Sequence, residues 1–117
     1  MKNLVILGST GSIGRNTLEV VNHFPQDFCV LGLSAHSNVE LLEAQVKKYK
    51  PKFVTVTKEK NNQVLKGRIS NSKLFFGIEG LKEMVSQAET DMVINALVGA
   101  VGLFPSLTAI ESGKTLA

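Results

Sequence analysis

Short apolar runs alternate with stretches of helical periodicity from one end of the chain to the other. Asn3–Leu7 predicts a first strand, and Ser12–Phe24 a first helix with Ser12 as its N-cap and Pro25-Gln26-Asp27 closing it. Phe28–Ser34 is a continuous apolar run of the kind buried on both faces of a sheet. Asn38 caps a second helix whose Leu41, Leu42, Gln45, Val46 and Tyr49 recur at helical spacing, and Pro51 stops it. Phe53–Thr57 is a short β-branched strand, and Lys58–Lys66 a helix whose charges form a solvated face. Lys73–Phe76 predicts an extra short strand. Glu79–Ala88 is a helix with Gly80 unfavourable near its start, and Asp91–Ala96 is the next central strand. Phe104–Ser112 is a helix that tolerates Pro105 in its first turn and stops at Gly113; Lys114–Ala117 opens another strand. Strands alternating with helices predict an α/β fold: a Rossmann-like, doubly wound parallel sheet with right-handed crossovers and helices on both faces.

The junction between the first strand and first helix carries the chemistry. Leu4-Val5-Ile6-Leu7 runs into Gly8-Ser9-Thr10-Gly11-Ser12-Ile13-Gly14, with glycines at every third position. Gly8 suits a backbone conformation that is costly with a Cβ, Gly11 lets the backbone approach a ligand, and Gly14 lets the first helical turn lie against the strand. A helix N-terminus at that point presents unpaired N–H groups and partial positive charge, which suit the pyrophosphate of a dinucleotide. Thr10 and Ser12 add hydroxyls. The spacing is Gly-x-x-Gly-x-x-Gly, not the common Gly-x-Gly-x-x-Gly; such a triplet alone also fits a tight turn without a ligand, but the strand before it and the helix after it favour the phosphate-binding reading.

Size and composition narrow the partners. The 117 residues suffice for one domain, 1–117. Its last residues read as a strand just begun, which points to an incomplete piece of a larger multidomain protein whose sheet would leave apolar surface exposed. No run has the length of a membrane span, and Met1-Lys2-Asn3 leaves no room for a signal peptide before the first strand, so the cytoplasm is the expected location. Cys29 stands alone in an apolar run and reads as a small core residue. A net charge of +3 from scattered lysines, with one Tyr and no Trp, argues against nucleic acid as partner. No His, Asp, Glu or Cys grouping has metal-ligand spacing, and no Ser–His–acid arrangement is recognisable, so no catalytic residue is expected in this segment.

The second strand runs into Ser34-Ala35-His36-Ser37-Asn38. The acidic residue that would accept from a ribose 2′-OH in NAD-specific folds is missing there, while hydroxyl, amide and imidazole donors are present. That favours NADP, although the loop holds no Arg or Lys. His23 reads as a helix-terminus residue.

These residues resemble the 1-deoxy-D-xylulose 5-phosphate reductoisomerase family. The similar blocks are Leu7–Gly14 with Thr17-Leu18-Glu19-Val20-Val21, then Ser34–Val39, then Asn95–Leu103 with Pro105 and Gly113-Lys114-Thr115, in family order over the whole chain. The resemblance implies an N-terminal NADPH-binding domain. The whole enzyme isomerises and reduces 1-deoxy-D-xylulose 5-phosphate to 2-C-methyl-D-erythritol 4-phosphate, on the non-mevalonate route to isoprenoids. It works as a homodimer with a divalent cation, Mg²⁺ or Mn²⁺. By the same resemblance Thr10, Gly11, Ser12 and Ile13, flanked by Gly8 and Gly14, meet the pyrophosphate. Ala35, His36, Ser37 and Asn38 surround the 2′-phosphate, and Ala96 and Leu97 face the nicotinamide half. His36 departs from the glycine common in the family, and Ser37 from a basic residue. The metal ligands and the phosphosugar site fall after Ala117, so these residues alone are expected to be inactive. Two other readings stay open: a dehydrogenase of aspartate-semialdehyde type, which needs a downstream catalytic Cys, and a non-catalytic module that senses NADP.

Overall fold

A computed structural model describes residues 1–97 and 99–117; Val98, within the third similar block, lies outside the described residues. The strands are β1 (Lys2–Leu7), β2 (Phe28–Ala35), β3 (Phe53–Val56), β4 (Lys73–Phe76), β5 (Met92–Asn95) and β6 (Thr115–Leu116). The helices are α1 (Ser12–His23), α2 (Val39–Tyr49), α3 (Asn62–Lys66), α4 (Gly77–Val85) and α5 (Leu103–Glu111). The strands form one six-stranded sheet in the order β4-β3-β2-β1-β5-β6, and each neighbouring pair is parallel.

Alternation along β1 divides the core. Leu4 and Ile6 join Leu18 and Val21 of α1, Leu42 and Val46 of α2 and Leu65 of α3 on one face. Val5 and Leu7 join Leu81, Met84 and Val85 of α4 and Ala109 of α5 on the other. Burial of that many large aliphatic side chains, each contributing about 1.5–3 kcal/mol, is the main force holding helices to both faces. The register of β1 against β2 slips between Leu4 and Val5, where Leu4 faces Val30 and Val5 faces Gly32. At Gly32 a Cβ would stand 2.8 Å from Met84 Sδ, so the slip is filled by α4.

Several details differ from the sequence expectation. α4 starts at Gly77, where φ is +71°, and ends at Val85, shifted towards the N-terminus from the Glu79–Ala88 pattern. Gly80, costly for a helix in isolation, is required by packing: a Cβ there would lie 2.8 Å from Phe75 Cβ and 3.0 Å from Thr55 Cγ2. Lys58–Lys66 is not one helix but a 3-10 turn, Glu59–Asn61, leading into α3. Ser12 does not cap α1. Gly11 holds the N-cap position, and no side chain closes that end. Cys29 is exposed rather than in the core, because β2 begins opposite Lys2 and Asn3 at the rim of the sheet, ahead of its buried stretch Val30–Ala35. His23 is an exposed last-turn residue of α1. α5 turns Pro105 and Ala109 inward and leaves Leu103, Phe104, Leu107 and Ile110 about half exposed. Among the described residues no helix is long and apolar enough to cross a membrane.

Candidate cofactor-binding site

A parallel sheet puts the carboxyl ends of all its strands on one rim. From β1 the chain moves outward through β2, β3 and β4, then returns to the other side of β1 to form β5. The exit of β1 is therefore the point where the winding reverses, the position at which such sheets open a crevice. Leu7 pairs with Asn95, and the Ala96 N–H donates to the Leu7 carbonyl at 2.9 Å. Gly8 follows at φ +78°, where an added Cβ would be 3.2 Å from both the Ala96 carbonyl oxygen and Leu97 Cδ2. The structure thus brings Gly8, Ala96 and Leu97 together.

The other two glycines differ from Gly8. A Cβ on Gly14 would collide with the Gly8 carbonyl oxygen and stand 2.6 Å from Ser9 Cα, so α1 abuts the turn through this residue. Gly11 has φ −80° and ψ 177°, open to any residue, and the nearest atom to an added Cβ is the Gly8 oxygen at 3.7 Å. Space lies outside Gly11, not strain within it.

The Gly8 N–H donates to Ser34 Oγ (2.9 Å), the Ser9 N–H to the Ser34 carbonyl (2.8 Å) and the Gly11 N–H to the Gly8 carbonyl (3.2 Å). Gly8 and Gly11 thus contribute shape rather than donors. Among the described residues, the N–H groups of Thr10, Ser12 and Ile13 have no acceptor in the chain; Thr10 is half-buried and the other two are exposed. With no side-chain cap and no acid in its first turn, α1 leaves this end open to an anion.

The turn is held by a buried polar cluster that sequence reasoning missed. Ser9 is fully buried; its Oγ lies 2.7 Å from Gln45 Oε1 and 3.2 Å from the Ser34 carbonyl. Gln45 Nε2 donates back to the Ser9 carbonyl at 2.9 Å. The signal was Gln45 standing on the apolar stripe of α2, where a polar residue needs a partner. Gln45→Met keeps the volume but leaves the buried Ser9 carbonyl unpaired and takes from the Ser9 hydroxyl the nearer of its two acceptors, so a loss of about 2 kcal/mol is expected in urea denaturation. A loss below about 0.5 kcal/mol would remove the cluster's structural role. Asn95 was missed as well: its Nδ2 reaches the Gly102 carbonyl (2.8 Å) and Ser106 Oγ (2.6 Å), and its Oδ1 accepts from the Leu97 N–H (3.1 Å), which fixes the exit of β5.

Ala35, at the end of β2, is buried, and the loop behind it leans on the exit of β3. His36 Nδ1 lies 2.8 Å from Thr57 Oγ1, and the Lys58 N–H donates to the His36 carbonyl (3.2 Å). Asn61 Nδ2 reaches the carbonyls of His36 (3.4 Å) and Ser37 (3.3 Å). Asn38 caps α2, with its Oδ1 accepting from the Leu41 N–H at 3.2 Å. Ser37, Asn38, Asn61 and Arg68 line a depression of about 230 Å³ between α2 and α3. Arg68 Nη1 is 3.3 Å from Glu43 Oε1, while Lys47 stands closer to that carboxylate at 2.8 Å. The hydrogen bond from Lys47 comes first among the groups that hold the Glu43 carboxyl below its usual value, with Arg68 adding to it.

A parallel sheet wound outward from both sides of β1, with a glycine turn leading into an uncapped helix, defines a Rossmann-like α/β domain. The profile of the 1-deoxy-D-xylulose 5-phosphate reductoisomerase family matches residues 4–117, and the chain belongs to that family. Family membership supports this reading over the aspartate-semialdehyde dehydrogenase type. The chain is 45% identical over 116 residues to the 1-deoxy-D-xylulose 5-phosphate reductoisomerase of Thermodesulfovibrio yellowstonii, covering 99% of the chain and 30% of the relative. It is 48% identical over 117 residues to that of Halothermothrix orenii, covering 98% and 30%. Among solved structures, a DOX-P reductoisomerase in complex with NADPH, fosmidomycin and magnesium superposes with a TM-score of 0.96 at 32% identity, covering 99% of this chain and 29% of that one. The enzyme from Zymomonas mobilis in complex with NADPH gives 0.92 at 30% identity, covering 99% and 31%. The chain thus spans about 30% of the length of the curated relatives it matches.

Proposed function

We propose that residues 1–117 form the NADPH-binding domain of a cytoplasmic 1-deoxy-D-xylulose 5-phosphate reductoisomerase. The whole enzyme converts that phosphosugar to 2-C-methyl-D-erythritol 4-phosphate as a homodimer. The observation that carries this is the open end of α1, where the amides of Thr10, Ser12 and Ile13 have no acceptor among the described residues and lie beside the space at Gly11. Those three amides and the hydroxyls of Thr10 and Ser12 fit a diphosphate, which carries charge and many acceptors but no donors. The loop Ala35–Asn38 takes the adenosine end, and Ala96 and Leu97, beside Gly8, take the nicotinamide end. Bound NADPH supplies the hydride; the chain's own task is to hold the dinucleotide across the crevice at fixed orientation.

The relatives' divalent cation is assigned to no residue of this chain. Among the described residues no three His, Cys, Asp or Glu side chains gather where they could hold a metal ion. The support for the phosphosugar substrate is family membership, since the relatives extend well beyond the matched segment.

Titration with NADPH, followed by nicotinamide fluorescence, is expected to show saturable binding that adenosine diphosphate ribose displaces. The latter carries the diphosphate without the nicotinamide. Absence of binding would refute the assignment of the turn.

A further inference from the structure

The loop after β2 offers no Lys or Arg, yet a 2′-phosphate brings nearly two negative charges and needs one. Resting on the NADPH reading above, we infer that the depression between α2 and α3 is the 2′-phosphate pocket and that Arg68 is its cation. The depression is lined by Ser37 and Asn38 from the loop and by Asn61 and Arg68 from the segment after β3. Its volume, about 230 Å³, is enough for a phosphate group.

The donors fit a dianionic phosphate. The Ser37 hydroxyl is exposed and free among the described residues. Asn38 uses Oδ1 as a cap and keeps its Nδ2 for the pocket. Asn61 Nδ2 braces the His36 and Ser37 carbonyls at 3.4 and 3.3 Å, which fixes the loop wall of the pocket against the wall that bears Arg68. Arg68 meets Glu43 through Nη1 only, and a guanidinium has five N–H donors in a planar fork suited to phosphate oxygens. Glu43 has Lys47 as its nearer partner, so it steadies Arg68 without monopolising it. Glu40 also borders the depression, and its carboxylate opposes a phosphate there. Without Arg68 the pocket would therefore be net acidic and would favour a ribose hydroxyl.

Arg68 lines the depression, whereas Lys58 reaches the loop only through its backbone N–H at the His36 carbonyl. Lys58 is the competing source of charge.

Dissociation constants for NADPH and NADH are measured by nicotinamide fluorescence on the wild-type protein and on Arg68→Gln, Arg68→Lys and Lys58→Gln. Arg68→Gln is expected to weaken NADPH about tenfold and leave NADH unchanged, and Arg68→Lys to retain most of the preference. Its melting midpoint should stay within about 2 °C, since an exposed ion pair contributes little to stability. An NADPH-to-NADH ratio unmoved by Arg68→Gln, or moved by Lys58→Gln in its place, overturns the inference. Wild-type protein that binds both nucleotides equally leaves the diphosphate turn standing and overturns this pocket. Protein that binds neither overturns both.

Discussion

Gly11→Val is expected to weaken NADPH binding at least tenfold while the protein stays folded. The reason is that the site is built from space and unpaired amides. At φ −80° and ψ 177° a β-branched residue is comfortable, and an added Cβ meets nothing closer than 3.7 Å. The stability cost is limited to the poorer N-cap, about 1 kcal/mol. The two methyl groups would fill the space in front of the Thr10, Ser12 and Ile13 amides and displace phosphate oxygens from them. Each hydrogen bond to a charged group is worth about 1.5–3 kcal/mol, so losing one already gives tenfold. Calorimetric titration beside a thermal melt separates the two effects. Unchanged affinity, or lost affinity accompanied by unfolding, would contradict this account of the turn.

Gly14→Ala gives the opposite pattern: a large loss of stability from the smallest possible change. Helix propensity alone forecasts a gain of about 1 kcal/mol, since alanine replaces glycine inside α1. Packing forecasts a loss. The new methyl would collide with the Gly8 carbonyl oxygen and sit 2.6 Å from Ser9 Cα and 2.9 Å from the Ser9 carbonyl carbon. All of these are backbone atoms, held by the Ser9, Ser34 and Gln45 cluster, so no flexible side chain can yield. Overpacking of this kind costs about 3 kcal/mol, which leaves a net destabilisation of about 2 kcal/mol. Urea denaturation decides the sign, and a stabilised variant would show that α1 does not abut the turn.

Two substitutions three positions apart thus test different jobs, and only part of that division was legible in the sequence. Apolar runs ending in glycine or a helix cap were enough to find all six strands, because a strand covered on both faces must be continuously apolar. The roles of Gly8 and Gly14 followed from their place between strand and helix. What pattern could not give was contact across the sheet. Ser34 and Gln45 look like an ordinary strand residue and an ordinary helix residue until folding places both against Ser9. Gly80 reads as a helix defect until Phe75 and Thr55 are seen to leave room for nothing larger. Cys29 reads as core because the apolar run includes it, but the run starts before the buried part of β2. The depression beside Ser37 was invisible for the same reason: Arg68 is distant in sequence, and only the packing of α3 beside α2 brings it near.

The place of β1 in the middle of the sheet has a bearing on biosynthesis. Its first partner, β2, leaves the ribosome soon after it, but its second, β5, comes much later; the Asn3 N–H and the Asp91 carboxylate that it meets are 88 positions apart. Until Met92–Asn95 emerges, one edge of the opening strand is bare, and Leu7 lacks the amide that fixes the exit into the glycine turn. The glycine turn is therefore translated well before it can be completed, and long-range parallel pairing of this type closes slowly.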